Sequence, residues 1–395
     1  MNSISLYIHI PFCYSKCDYC DFFSVPVGKK SIPQEYVDCL CREIRYKAKE
    51  YSVDYWSTVY IGGGTPSKLS EEQFVQIFNT VWECGKINPE VNEMEKEFEF
   101  TIEMNPESVT PEKLKLFKNH HVNRISLGVQ SLCDDALKNV KRSADKAAAF
   151  KAMEIIKTNW NGKFSFDFIA GLPCQSEEQF IAGLKDSLKF NPDHISLYTL
   201  TIEEGTPLQK RIAAGEEYDF DESDRIYLLG RDYLLENGFL QYEVSNFCRP
   251  GCFSRHNLNY WKQGSYIGCG AGACSTLYED GYRFSNTQDI NQYLNDFLSG
   301  TKEDLDLKTL EYEFFMMGFR SSFGISESDY KKKFSKVSPW FGNLQERLGV
   351  NKGIWAEYEK NGYTSVYKNR QGEKVYSLNS KGMMFLTPLL LELME

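Results

Sequence analysis

The stretch Tyr7-Ile-His-Ile-Pro-Phe-Cys-Tyr-Ser-Lys-Cys-Asp-Tyr-Cys-Asp-Phe22 decides the reading of this chain. An apolar run leads straight into Cys13, Cys17 and Cys20, spaced C-x3-C-x2-C. Three thiolates this close together can hold three irons of a [4Fe–4S] cube. Such cubes normally take four cysteines, so the fourth iron either borrows a distant ligand or stays open to a small molecule. The competing reading is a structural zinc site. Tetrahedral zinc takes four nitrogen or sulfur ligands, usually on two paired arms. No second arm of that spacing follows closely, so the ligand count favours the cluster.

Around this loop the chain alternates strand and helix for two thirds of its length. Runs at 3–9, 58–61, 98–104, 124–129, 164–169 and 194–200 read as strands, and 33–49, 71–82, 111–118, 145–158 and 176–188 as helices. Ser70-Glu-Glu-Gln73, Thr110-Pro-Glu-Lys and Ser176-Glu-Glu are helix starts, each a capping side chain before an acidic first turn. Such alternation implies a parallel sheet with helical crossovers. Six units predict a partial (β/α)6 barrel, open on one side.

The chemistry-bearing residues fall just past or near strand C-terminal ends, the face where barrel active sites form. Tyr60-Ile-Gly-Gly-Gly-Thr-Pro-Ser67 exposes backbone N–H groups and lets a ligand approach closely. Glu103 ends the third strand and Gln130 the fourth, with Arg142 following. Asp167 sits in the fifth, where alternation can turn it inward. Any one of these could cap a helix or satisfy a loop. Five in register on one face point to a ligand site.

Composition excludes more than it assigns. A formal charge of −10 and no Lys/Arg run argue against general nucleic-acid binding. The first residues carry no basic n-region and enter a strand, so no signal peptide is expected. No apolar run approaches the roughly 18 residues of a membrane span. Twelve cysteines without a secretory leader suggest reduced thiols in a cytoplasmic protein.

From Tyr7 to about Ser275 the chain resembles the coproporphyrinogen-dehydrogenase branch of the radical S-adenosylmethionine (SAM) proteins, and within it the HemW-type heme chaperones. The matching stretches run from Tyr-Ile-His-Ile-Pro-Phe-Cys13 through Gly-Gly-Gly-Thr-Pro-Ser67, Ile-Glu-Met-Asn-Pro106, Ser-Leu-Gly-Val-Gln-Ser131 and Gly-Leu-Pro173. They continue to Ser-Leu-Tyr-Thr-Leu-Thr-Ile-Glu-Glu-Gly-Thr206 and Tyr242-Glu-Val-Ser-Asn-Phe247. The resemblance implies that Cys13, Cys17 and Cys20 ligate a [4Fe–4S] cluster whose open iron chelates SAM, ready for reductive cleavage to a deoxyadenosyl radical. It also implies that Tyr7, Tyr19, Gly63, Gly64, Thr65, Glu103, Gln130, Arg142 and Asp167 line the SAM pocket.

Two positions discriminate within the branch. The dehydrogenases carry a fourth cysteine two residues after the third, where this chain has Phe22, and they carry a longer N-terminal extension. His256-Asn257-Leu-Asn-Tyr260-Trp261 matches the chaperone pattern H-N-x-x-Y-W. A neutral imidazole is a good heme ligand, and flat aromatics suit a macrocycle, so His256, Asn257, Tyr260 and Trp261 are the candidate heme contacts. A histidine hydrogen-bonded in a loop, with the aromatics filling core, is the plainer alternative. The family's Gly-Ala-His-Ser is here Gly272-Ala-Cys274-Ser275, and Cys248 and Cys252 flank the heme motif as spectators or an oxidisable pair.

After residue 300 the pattern changes. Helical stretches at 307–319, 326–334 and 350–361 and a hairpin of 363–367 with 374–378 predict a winged-helix-like α+β domain. The expected organisation is a barrel with its heme-contacting extension over 1–275, a connector over 276–305 and the winged domain over 306–395. The leading expectation is a heme chaperone with a heme-acceptor protein and an electron donor as partners, and membrane contact only through the acceptor. An oxygen-independent coproporphyrinogen III dehydrogenase, or another radical SAM enzyme acting on heme, is the alternative.

Overall fold

Along β1 (Ser3–Ile10), Leu6, Ile8 and Ile10 join the main apolar core, while Ser5, Tyr7 and His9 take the opposite face. Period-two alternation sorts them, and five more strands repeat the sorting. In β2 (Tyr55–Gly63) Val59 and Ile61 face the core; in β3 (Glu99–Met104) Phe100, Ile102 and Met104 do; in β4 (Arg124–Gln130) Ile125, Leu127 and Val129 do. The same holds for Phe166 and Phe168 of β5 (Lys163–Ala170) and for Ile195 and Leu197 of β6 (His194–Thr199). Left for the inner face are Thr58, Tyr60, Glu99, Thr101, Glu103, Arg124, Ser126, Ser165, Asp167, His194 and Ser196. The inside of the sheet is therefore a polar and aromatic wall.

The fold is a computed structural model that describes residues 2–87, 98–334, 343–350 and 352–394. The six strands pair in parallel in the order 6-5-4-3-2-1. Their connections carry α1 (Gln34–Glu50), α2 (Glu71–Cys84), α3 (Pro111–Asn119), α4 (Asp134–Asn139), α5 (Lys146–Asn159) and α6 (Glu177–Leu188). The predicted starts are real caps. Ser70 and Ser176 each close a capping box, with Gln73 and Gln179, and Thr110 accepts the Lys113 N–H.

Apart from the two-residue Lys86–Ile87, which pairs with β2, the six-strand expectation misses one parallel strand. β7 (Tyr266–Cys269) pairs with β1 in register from Ser5↔Tyr266 to Ile8↔Cys269, beyond which β8 (Cys274–Leu277), β9 (Tyr282–Asn286) and β10 (Gly300–Asp304) extend the sheet antiparallel. Three glycines between Tyr266 and Ser275 mask the strand, because glycine is a poor strand former. Here close approach demands it: a Cβ on Gly268 would sit 2.1 Å from the Cys274 carbonyl oxygen. Buried Glu43 of α1 ties this run down. Its carboxylate accepts from the Gly270 N–H (2.7 Å), the Tyr293 hydroxyl (2.6 Å) and Asn286 Nδ2 (2.7 Å), and pairs with Lys47 Nζ at 2.8 Å.

At the other edge, Asn246–Cys248 lies antiparallel to β6. Among the described residues the two sheet ends do not pair, so the barrel stays open. Past β6 come α7 (Pro207–Ala213) and α8 (Phe220–Glu236), then α9 (Arg255–Trp261) and α10 (Ile290–Asn295).

The C-terminal segment builds a second apolar cluster around Phe315, Phe319, Trp355 and Tyr376. Its order is α11 (Leu307–Arg320), β11 (Ile325–Ser326), α12 (Glu327–Phe334), α13 (Leu344–Leu348), α14 (Ile354–Lys360) and the hairpin β12 (Thr364–Lys368) with β13 (Lys374–Leu378), which α15 (Leu386–Met394) follows. The helix expected over 350–361 begins only at Ile354. Gly349, left-handed at φ 64°, ends α13, and Gly353 is the N-cap of α14. No helix of the described residues is long and apolar enough to cross a membrane.

Candidate functional site

The cysteine loop leaves β1 at the barrel mouth. It is anchored where Phe12–Cys13 pairs with Val25–Pro26 and where the Val25 N–H reaches the Pro11 carbonyl. Cys13 and Cys17 are buried and Cys20 half-buried, each unpaired with any other cysteine. Burial pushes the Cys13 and Cys20 thiols up from their ordinary value, and each also feels the charge of Cys17. Among the described residues no three His, Cys, Asp or Glu side chains converge tightly enough for a single metal ion.

Beside the loop, the glycines of β2 form a cradle. A Cβ on Gly62 would lie 2.9 Å from Glu103 Oε1, and one on Gly64 would lie 2.8 Å from the Phe12 carbonyl oxygen. Gly63, at φ +120°, donates its N–H to Glu103 Oε2 at 3.1 Å. Glu103 also accepts the Tyr60 hydroxyl at 2.7 Å. Its closest electrostatic neighbours are Tyr60, Gly63 and Asp167, none of them cationic, and burial pushes the carboxyl up to about 7.

Arg142 is the complementary group. Its Nη2 donates to Asn105 Oδ1 (3.1 Å) and the Gly128 carbonyl (2.6 Å), and its Nη1 lies 3.9 Å from Cys17 Sγ. Its Nε is buried with no partner. Asn105 also holds Thr65 Oγ1 at 3.1 Å, and Tyr19 sits against Cys17 and Arg142. Gln130 ends β4 in the left-handed region, at φ 65°. Asp167 is capped by hydroxyls from Ser126 (2.8 and 3.0 Å) and Ser165 (3.2 Å), and burial raises it. The Tyr7 hydroxyl bonds His9 Nδ1 at 2.8 Å, and His9 Nε2 reaches the Phe23 carbonyl at 3.0 Å. Burial lowers the His9 pKa, so this ring is neutral. A ligand bearing an ammonium for Glu103 and a carboxylate for Arg142 would complete both groups.

The candidate heme motif lies elsewhere, at the floor of the lumen. Glu99 at the base of β3 anchors α9 by accepting the Arg255 and His256 N–H groups, each at 3.0 Å, and Ser254 Oγ at 3.3 Å. His256 is 1 % exposed. Its Nδ1 meets Thr58 Oγ1 and its Nε2 the Tyr260 hydroxyl, both at 2.7 Å, and burial drives its pKa down to about 3. The Tyr60 ring stacks on it at 4.9 Å. One turn of helix carries 256 and 260 on a shared face, so Asn257 and Trp261 turn elsewhere. Trp261 lies under the Arg320 guanidinium of α11, 4.6 Å away. The flat Tyr–Trp surface expected beside the histidine does not form, because adjacent helix positions diverge by about 100°.

Cys274 is half-buried on β8 near Ser285 Oγ (3.6 Å) and Tyr266, whose ring meets Tyr260 edge-on at 4.6 Å. Cys248 is buried, which raises its thiol to about 12, and Cys252 Sγ lies 3.7 Å from Asp193 Oδ1.

Sequence reasoning passed over Tyr60, Asn105 and Glu99. Alternation along β2 could have found Tyr60, two positions before Gly62 on the same face. Nothing local marks Glu99 as the anchor of a helix more than 150 positions away.

The comparisons with known proteins agree with this geometry. The family described as Radical SAM superfamily matches residues 7–186. The chain is 32% identical over 392 residues to the heme chaperone HemW of Buchnera aphidicola (subsp. Schizaphis graminum), covering 98% of this chain and 97% of that protein. It is 33% identical to the Escherichia coli heme chaperone HemW over 80% of this chain and 82% of that one. It is also 32% identical to a mouse protein named radical S-adenosyl methionine domain-containing protein 1, mitochondrial, over 87% and 79%. The fold is shared with E. coli coproporphyrinogen III oxidase (HemN), a radical SAM enzyme, at a TM-score of 0.77 and 19% identity, over 98% of this chain and 89% of that one. A cysteine loop at the mouth of an open parallel barrel, matched along nearly its whole length by such relatives, places this chain in the HemW family of radical SAM proteins.

Proposed function

We propose that this protein is a heme chaperone that binds heme and passes it to an acceptor protein. It carries a [4Fe–4S] cluster on Cys13, Cys17 and Cys20 and exchangeable SAM against the mouth wall. One observation carries the reading: the end-to-end match to proteins named heme chaperone HemW. It is supported by Phe22, 71% exposed, at the position where the coproporphyrinogen dehydrogenases have a fourth cysteine.

The residues of the mouth fit SAM. Glu103 takes the ammonium, Arg142 the carboxylate through its free Nε, and the Gly62–Gly64 cradle lets the ligand lie against the backbone. Tyr7, Tyr19, Thr65, Gln130 and Asp167 complete the wall. When bound, cluster and SAM supply one-electron chemistry at the sulfonium, fed by an external electron donor. Heme docks at α9, and His256 reaches the iron only once its Nε2 bond to Tyr260 opens. The work is done in the cytoplasm, with membrane contact only through the acceptor.

The test is anaerobic reconstitution, then assays of SAM cleavage, of heme transfer to an apo-acceptor and of coproporphyrinogen III conversion. Heme transfer without coproporphyrinogen conversion is the expected result. Conversion to protoporphyrinogen IX would overturn it in favour of the dehydrogenase. For the heme contact, Tyr260→Phe frees Nε2 and should tighten heme binding, whereas His256→Ala should weaken it. An unchanged Soret titration in both variants would remove α9 from the heme site.

A further inference from the structure

Asp18, between Cys17 and Tyr19, is engaged through every polar group it has. Its N–H donates to the Val140 carbonyl at 3.0 Å, and its carbonyl accepts the Leu208 N–H of α7 at 2.9 Å. Its carboxylate takes Lys141 Nζ at 3.1 Å and Arg211 Nη1 at 2.8 Å. The carboxylate is 2% exposed, while Arg211 is 28% and Lys141 68% exposed. Arg211 is itself fixed by Glu216, with two contacts of 2.6 Å, and by the backbone and side-chain oxygens of Asn139 at 2.8 and 2.6 Å. Three segments meet on this one residue: the cysteine loop, the turn after α4 that leads into Arg142, and α7 beyond β6.

We propose that Asp18 and Arg211 form a clamp that positions the Cys17–Cys20 half of the loop and sets the charge beside the cluster it holds. The clamp rests on the cluster reading above. Losing Arg211 leaves the buried carboxylate with only the largely exposed Lys141 as its cation, and a buried charge so weakly compensated is unfavourable, which loosens the loop. The electrostatic consequence is separate. Reducing the cluster adds negative charge next to Asp18, and the Arg211 guanidinium, partly exposed and so partly screened, offsets some of it. Both are positioning residues, since neither is a cluster ligand.

The experiment compares reconstituted wild type with Asp18→Asn, Arg211→Gln and Arg211→Lys. Iron and sulfide per chain are measured before and after gel filtration, and the midpoint potential by dithionite titration followed by electron paramagnetic resonance. Arg211→Gln should lose iron several-fold faster and shift the midpoint down. Asp18→Asn should shift it up, and Arg211→Lys should stay near wild type. A contribution through packing alone cannot move the midpoint in opposite directions for the two charge removals. Wild-type midpoints and iron retention in both charge variants would overturn the clamp. Wild type that takes up no iron would overturn the cluster reading, and the clamp with it. Melts of the metal-free variants separate global unfolding from loop loosening, and Asp18→Asn with Arg211→Lys decides the matter if Arg211→Gln does not fold.

Discussion

Glu43→Ala should lower folding stability by about 3–5 kcal/mol, the usual effect of breaking a buried ion pair by removing one partner. The variant strands Lys47, whose Nζ stays buried with only the Gly268 carbonyl (2.8 Å) and Asn286 Oδ1 (3.1 Å) as partners. It also frees the Gly270 N–H and the Tyr293 hydroxyl inside the core. Denaturant melts of the metal-free protein measure the loss. The double variant Glu43→Met/Lys47→Met should recover much of it, since an apolar pair of similar volume often replaces a buried ion pair without penalty. A single variant within about 1 kcal/mol of wild type, inside the range of ordinary substitutions, would show that the glycine run does not depend on this anchor.

The second large effect is on ligand binding. Glu103→Gln should weaken SAM binding by roughly a hundredfold at pH 8, the scale of removing one partner of a buried charge pair. The pH dependence follows from the carboxyl's raised value of about 7. A carboxyl whose folded pKa lies above its unfolded one holds its proton more tightly when folded. Its contribution to stability is therefore full below the unfolded value near 4.3 and declines as pH rises to about 7. Pairing with an ammonium needs the ionised form, so SAM affinity in wild type should climb as pH rises through about 7 and level off above. The Gln variant should show no such climb. Calorimetric titration at pH 6, 7 and 8 checks both, and a parallel pH profile in the two proteins would remove Glu103 from the site.

What could be read from the sequence was what local chemistry dictates. Thiol spacing over eight residues singled out the cysteine loop, and apolar runs together with Ser70, Thr110 and Ser176 revealed the strands and caps. β7 was hidden because its one glycine, Gly268, serves a close approach visible only in three dimensions. Of the candidate SAM residues, Gly63, Glu103 and Gln130 lie at or beside the ends of neighbouring strands and strand position gathered them, whereas Tyr7, Tyr19 and Thr65 came only from the family resemblance. The environment of His256 was not legible, since it depends on Thr58, 198 positions away. Nor was the Asp18 clamp, whose arginine lies 193 positions on. An isolated histidine beside aromatics reads alike whether it faces a ligand or fills a floor.

The polar inner wall also carries an evolutionary consequence. Arg142 Nε, Arg124 Nη2 and Thr101 Oγ1 are buried without partners, and half-buried Glu103 has no cation among its electrostatic neighbours. Each unmade bond destabilises the free protein, and a ligand that makes it stabilises the complex by mass action. Selection for thermal resistance alone would replace these groups with neutral or apolar ones and extinguish binding in doing so. Groups so placed in the lumen trade the free chain's rigidity for the affinity of whatever completes them.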